Sequence, residues 1–165
     1  MKKVKDFMTA NEVMFCNPET KLYTVAKTMK ENNLGALPVV DKFSKVIGIV
    51  TDRDLGLTLA LKPTKNSPEK TVKDIVSHNK IYTVKTEDNL KKAMREMRTN
   101  KIGRLPVIDE AGVLKGTLSI NTIISNSINK KGTLGKVSSS KENLARTITS
   151  ILKRNNTKLN DNEGE

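Results

Sequence analysis

The 165-residue chain has little of what most active-site chemistry is built from: one cysteine, one histidine, no tryptophan, and aromatics at only 3 % of its residues. The lone Cys16 excludes an intrachain disulfide framework and a cysteine-rich zinc site. The lone His78 excludes a histidine-pair metal site and leaves little for acid–base work near neutral pH. Phe7, Phe15, Tyr23, Phe43 and Tyr82 are the whole aromatic set, so stacking platforms for single-stranded nucleic acid are scarce. No run approaches the roughly 18 apolar residues of a spanning helix. The basic start Met1-Lys2-Lys3 has no apolar run behind it, so a targeting segment is not expected. The chain reads as soluble and cytoplasmic, with no membrane partner, since a single thiol gives no reason to invoke an oxidising compartment.

What the chain does have is positive charge, with 30 Lys+Arg against 18 Asp+Glu and a net +12. Clustered cations would suit a phosphate polymer. Here +4 falls in residues 129–165 and +8 spreads over residues 1–128. A diffuse excess of this kind suits a solvated surface or a binder of small anions.

The chain also repeats itself. Residues 34–55, LGALPVVDKFSKVIGIVTDRDL, correspond to residues 102–123, IGRLPVIDEAGVLKGTLSINTI. One offset of 68 positions holds without a gap over residues 4–55 against 72–123. It pairs Val4-Lys5-Asp6 with Val72-Lys73-Asp74, Leu22 with Leu90, Met29 with Met97, Pro38 with Pro106, and Gly48 with Gly116. Two copies of one supersecondary unit are the direct reading.

Each copy predicts the order β-α-β-β-α. Val13–Cys16 and Ile81–Val84 are short apolar runs, expected as strands. Leu22, Val25, Ala26 and Met29, like Leu90, Ala93, Met94 and Met97, recur at i, i+3, i+4, i+7 and predict a helix. Thr20 and Asp88 are the expected N-caps, and Asn32-Asn33 and Asn100-Lys101, followed by Gly35 or Gly103, the expected helix ends. Ala36–Val40 and Val46–Val50 predict a hairpin, with Pro38 where a strand lacks a ladder donor. A second helix starts near Asp52, and its partner carries Ile120, Ile123, Ile124 and Ile128. Beyond residue 129, Ser139 to Glu142 fits a capping box ahead of an apolar stripe at Leu144, Ile148, Ile151 and Leu152.

The doubled unit, the Leu37-Pro38-Val39-Val40-Asp41 box and the Gly48-to-Leu55 box together resemble the CBS domain, named after cystathionine β-synthase. Two in tandem resemble a CBS pair, or Bateman module. The resemblance implies an α/β fold of two β-α-β-β-α repeats packed as a pseudo-twofold pair, here with a C-terminal helix. It divides the chain into a first repeat at 1–62, a joint at 63–71, a second repeat at 72–130, a helical extension at 131–154 and a disordered tail at 155–165.

The resemblance also implies a function. Such pairs act as sensors, and many bind adenosine-containing ligands in clefts between repeats, through a motif G-h-h-T-x-x-D in which h is apolar. The first repeat carries it intact as Gly48-Ile49-Val50-Thr51-Asp52-Arg53-Asp54. Asp54 can accept from both ribose hydroxyls, and the Thr51 hydroxyl at a helix start can hold a phosphate oxygen. Arg53 can reach a phosphate, while Gly48 permits close approach and Pro38 belongs to the neighbouring box. The second repeat keeps a hydroxyl at Ser119 but has Thr122 where the aspartate belongs, so its cleft is expected to bind a nucleoside weakly or not at all. Arg104 is expected to complete the first site.

The resulting expectation is a non-catalytic regulatory module that senses AMP, ATP or another adenosyl compound and requires no cofactor. By resemblance it is a homodimer that signals to a regulated protein. A nucleophile–base pair, a metal cluster and a Gly-rich phosphate loop are all missing from the sequence. The alternative is a ligand-free interaction or nucleic-acid module working through the basic surface.

Overall fold

A computed structural model describes residues 2–60, 69–76, 81–126 and 138–156. His78, Ile128, most of the expected joint and the end of the tail lie outside the described residues. The elements run α1 (Leu22–Glu31), β1 (Ala36–Val40), β2 (Val46–Thr51), α2 (Asp52–Ala60), β3 (Val84–Lys85), α3 (Leu90–Asn100), β4 (Arg104–Ile108), β5 (Leu114–Ser119), α4 (Ile120–Ser125) and α5 (Ser138–Asn156). The fold is α/β, with two strand-and-helix repeats and a C-terminal helix. The last helix runs through Asn156, two residues past the expected end of the helical extension at 154.

The helical stripes become the cores. Leu22, Val25 and Met29 of α1 are buried with Leu37, Val39, Val50 and Val72. Leu90, Ala93, Met94 and Met97 of α3 are buried with Leu105, Val107, Leu118 and Val4. Each helix therefore spends its apolar side on the hairpin of its own repeat, which is what a 3.6-residue period is for. The caps sit one residue later than the sequence suggests, at Lys21 and Asn89. Asn89 Oδ1 accepts from Lys91 N at 2.9 Å. Thr20 and Asp88 are turned back to close the preceding turns, where Thr20 Oγ1 accepts from Asn17 N and Asp88 Oδ2 from Lys85 N. At the far ends the left-handed residues are Asn33 and Lys101, not the following glycines.

The leading strands are shorter than predicted. Cys16 makes a single parallel bridge to Val39, its N–H donating to Pro38 O and its C=O accepting from Val40 N. Met14 and Phe15 before it are exposed, so the apolar run has no core to enter. At the leading run of the second repeat, the strand is Val84–Lys85 only. β1 and β2 pair antiparallel, with Leu37 opposite Val50 and Pro38 opposite Ile49. β3, β4 and β5 form a three-stranded sheet.

The described residues form two compact units, and the repeats are interleaved between them. The Thr51 unit takes the described residues within 11–81 and 108–115, and the Ser119 unit those within 1–10, 82–107 and 116–165. Each repeat's opening Val-Lys-Asp turn packs in the unit of the other. Val72 N donates to Thr20 O at 2.9 Å, and Val4 N donates to Asp88 O at 2.9 Å. Lys73 pairs with Glu19 in one unit, as Lys5 pairs with Glu87 in the other. Lys3 also donates to Glu87, and the two ammonium groups pull that carboxyl down to about 2. These pairs are exposed, so the buried valines rather than the charges fix the turns.

Gly116 shows how closely the turn residues approach. A Cβ there would stand 2.5 Å from Thr9 O and 3.2 Å from Met8 Sδ. Thr9 O is held in place by accepting from Thr117 N at 3.0 Å. Gly116→Ala is therefore expected to lose about 1–3 kcal/mol of stability as the strand and the turn move apart. Gly56→Ala, on the exposed side of α2 with nothing within 4 Å, should gain a few tenths to ~1 kcal/mol. Thermal unfolding of the two variants checks this, and an unchanged midpoint for Gly116→Ala would refute the close contact.

Candidate functional site

The strand-to-helix junction in each repeat is a reciprocal cap. In the Thr51 unit, β2 ends at Thr51 and α2 begins at Asp52. Asp54 Oδ2 accepts from Thr51 N at 2.9 Å and from Thr51 Oγ1 at 2.7 Å, while Asp54 N donates to Thr51 Oγ1 at 3.2 Å. Both residues are half-buried. The equivalent junction in the Ser119 unit joins β5 to α4. Ser119 N donates to Thr122 Oγ1 at 2.9 Å, and Thr122 N donates to Ser119 Oγ at 3.1 Å.

The two caps have the same geometry and differ in what is left over. An ionised carboxylate has about four acceptor positions, a hydroxyl two. Asp54 spends those of Oδ2 on Thr51, and among the described residues Oδ1 has no partner. Its two lone pairs are free to accept from two neighbouring hydroxyls. Thr122 Oγ1 accepts from Ser119 N and from Ser119 Oγ, and donates its proton to Ser119 O at 2.9 Å. Nothing remains on it for a diol.

The Thr51 hydroxyl is less available than the sequence suggests. Its proton goes to Asp54, so donation to a phosphate oxygen requires that bond to open. Arg53 is exposed at the first turn of α2, and its backbone N–H donates to Asp52 Oδ1 at 2.8 Å. Gly48 lies opposite Val39 on β2, and a Cβ there would meet Val76 Cγ2 at 2.5 Å, so this glycine is held by core packing. Pro38 sits on β1 with its carbonyl accepting from Cys16 N at 3.0 Å. Cys16 also points its thiol at that carbonyl, and burial pushes the thiol up to about 11, so it stays a neutral packing group.

Arg104 and Ser119 stand together in the Ser119 unit, at a cavity of about 340 Å³. Ile120 and Ile124 of α4 form one side, and Ile148 and Ile151 of α5 another. Three residues of the apolar stripe read from the sequence, Ile148, Ile151 and Leu152, line this cavity. Leu144 alone of the stripe enters the core fully, and the stripe continues two turns beyond it. Among the described residues there is no group of three or more His, Cys, Asp or Glu able to hold a metal. No helix of those residues is long and apolar enough to cross a membrane.

Comparison with known proteins bears on the same residues. The family model described as CBS domain matches residues 4–56 and 72–129. The protein YlbB of Bacillus subtilis (strain 168) is 35% identical over 109 residues, covering 65% of this chain and 70% of that protein. The inosine-5'-monophosphate dehydrogenase of Aquifex aeolicus (strain VF5) is 32% identical over 124 residues. That match covers 75% of this chain and 24% of the dehydrogenase, so the chain spans only a minor part of that enzyme's length. The crystal structure of CBSX2 in complex with AMP aligns with a TM-score of 0.65 and 28% identity, covering 76% of this chain and 95% of that one.

Proposed function

This chain belongs to the CBS domain family, as a tandem pair, and on that footing we propose that it is a non-catalytic regulatory module that senses an adenosine-containing nucleotide. The ligand sits at the Thr51–Asp54 cap. The observation that carries this reading is the uncommitted Oδ1 of Asp54 beside a fully committed Thr122 at the matching position. Oδ1 accepts from the ribose hydroxyls. Arg53, at the first turn of the nine-residue α2, supplies a cation for the phosphate where the helix dipole also favours negative charge. Gly48 and Pro38 shape the adjoining hairpin. The CBSX2 structure with AMP supports the choice of AMP as the first ligand to try, with ATP and S-adenosylmethionine next.

The same reading makes the protein a cytoplasmic homodimer that passes occupancy to a regulated protein. Leu57, 53% exposed on α2, is an apolar side chain such a dimer would cover. Occupancy carries a signal only if the ligand binds two states of the protein unequally.

A thermal-shift panel tests the function. A ligand at a hundredfold excess over its Kd stabilises the folded state by about 2.7 kcal/mol. For a chain of this size that is a rise of roughly 5–10 °C in the unfolding midpoint. AMP, ATP and S-adenosylmethionine are each to be tried at millimolar concentration, and no rise with any of them would overturn the reading.

A further inference from the structure

We infer that the cavity between α4 and α5 binds a small apolar carboxylate, an anion with a hydrocarbon body, at a site separate in chemistry from the nucleotide cap. The walls are aliphatic. Ile120 and Ile124 face Ile148 and Ile151, and Leu152, 58% exposed, continues the same surface. The polar groups are few and of one kind. Arg104 brings a guanidinium, and among the described residues no acid pairs with it. Asn121 adds an amide, while the Ser119 hydroxyl is already committed to Thr122. No Asp or Glu lines the cavity among the described residues. A pocket with mostly apolar walls and one cation selects an occupant with the complementary pattern.

Two features set the ligand apart from a nucleotide. No carboxylate is present to accept from a ribose diol, since Thr122 replaces it and is itself satisfied. One side of the cavity comes from α5, which begins at Ser138, beyond residue 129 where the family match ends. α5 is firmly seated: Leu144 is buried in the core with Met94 and Met97, and Ser150 Oγ donates to Arg98 O at 3.1 Å. The wall is therefore preformed, and the ligand need not order it. Exposed Leu152 gives up apolar surface to water that a bound hydrocarbon chain would recover.

Calorimetry of the full chain with sodium octanoate tests the inference, with octylammonium and acetate as controls. Octanoate should bind saturably at sub-millimolar to millimolar concentration. Octylammonium, with the same body and the opposite charge, and acetate, with the charge and no body, should give no saturable heat. Arg104→Gln should weaken octanoate about tenfold, the loss of one charge-assisted contact. The Arg104 side chain is exposed, so this variant folds. Ile151→Asp, which places an acid in the wall, should abolish binding. Wild-type affinity in Arg104→Gln, equal binding of octylammonium, or no binding of octanoate would each overturn the inference.

Discussion

Asp54→Ala is expected to weaken AMP binding about a hundredfold, or about 2.7 kcal/mol, because it removes the proposed acceptor for both ribose hydroxyls. The substitution also removes a cap. Asp54 Oδ2 holds the Thr51 N–H and hydroxyl, and losing that cap should cost about 1 kcal/mol of stability. The second repeat supplies the control. Thr122→Ala dismantles an equivalent cap, in which Thr122 Oγ1 holds the Ser119 N–H, and should cost a similar amount. It should leave AMP affinity unchanged, since Thr122 has no free acceptor to lose. The pair separates capping from binding. Calorimetric titration of AMP into both variants reads the affinity, and equal affinities would show that Asp54 only caps its helix.

Leu105→Ala should have the largest effect on stability, a loss of about 2–5 kcal/mol. Leu105 is fully buried on β4, among Leu90, Met94 and Met97 of α3 and Leu118 of β5. Those neighbours are anchored from several sides, by the hairpin, by the Val4 turn and by Leu144 of α5, so the space cannot collapse. Single domains hold only about 5–15 kcal/mol in total, so the variant would lose a large share of its stability. Urea unfolding should show a lower midpoint with an unchanged slope. A loss under about 1 kcal/mol would mean that the core around Leu105 is looser than this packing implies.

The helices are the most legible part of the sequence. The stripes from Leu22 and from Leu90 have one period, and burial follows it at every stripe position but Ala26, which is half-buried. The interleaving of the repeats is not legible. An arrangement in which Val4 packs beside α1 and one in which it packs beside α3 satisfy the same apolar pattern, and an offset of 68 is blind to the difference. The choice is made by backbone hydrogen bonds, Val4 N to Asp88 O and Val72 N to Thr20 O, which no side-chain pattern encodes. The run Val13–Cys16 misleads for a related reason. Apolar composition suggests a strand, yet only Cys16 finds a backbone partner while Phe15 stays in solvent.

At the site, the residue types are legible and their hydrogen-bond commitments are not. Thr51 and Asp54 stand out through the motif that the family resemblance implies, but three residues apart at a helix start they bond to each other first. That leaves Asp54 with one free oxygen and Thr51 with no free proton. Arg104, expected to complete the first site, lines a cavity with Ser119 in its own unit. Its surroundings depend on α5, whose position beside α3 the sequence does not state.

The asymmetry between the two caps is tested most directly by titrating AMP into the unaltered full chain and reading the stoichiometry. One AMP per chain, binding saturably, is the predicted result, because only the Asp54 cap retains an acceptor for a ribose. Two AMP per chain with equal affinity, or no saturable binding at millimolar AMP, would contradict it.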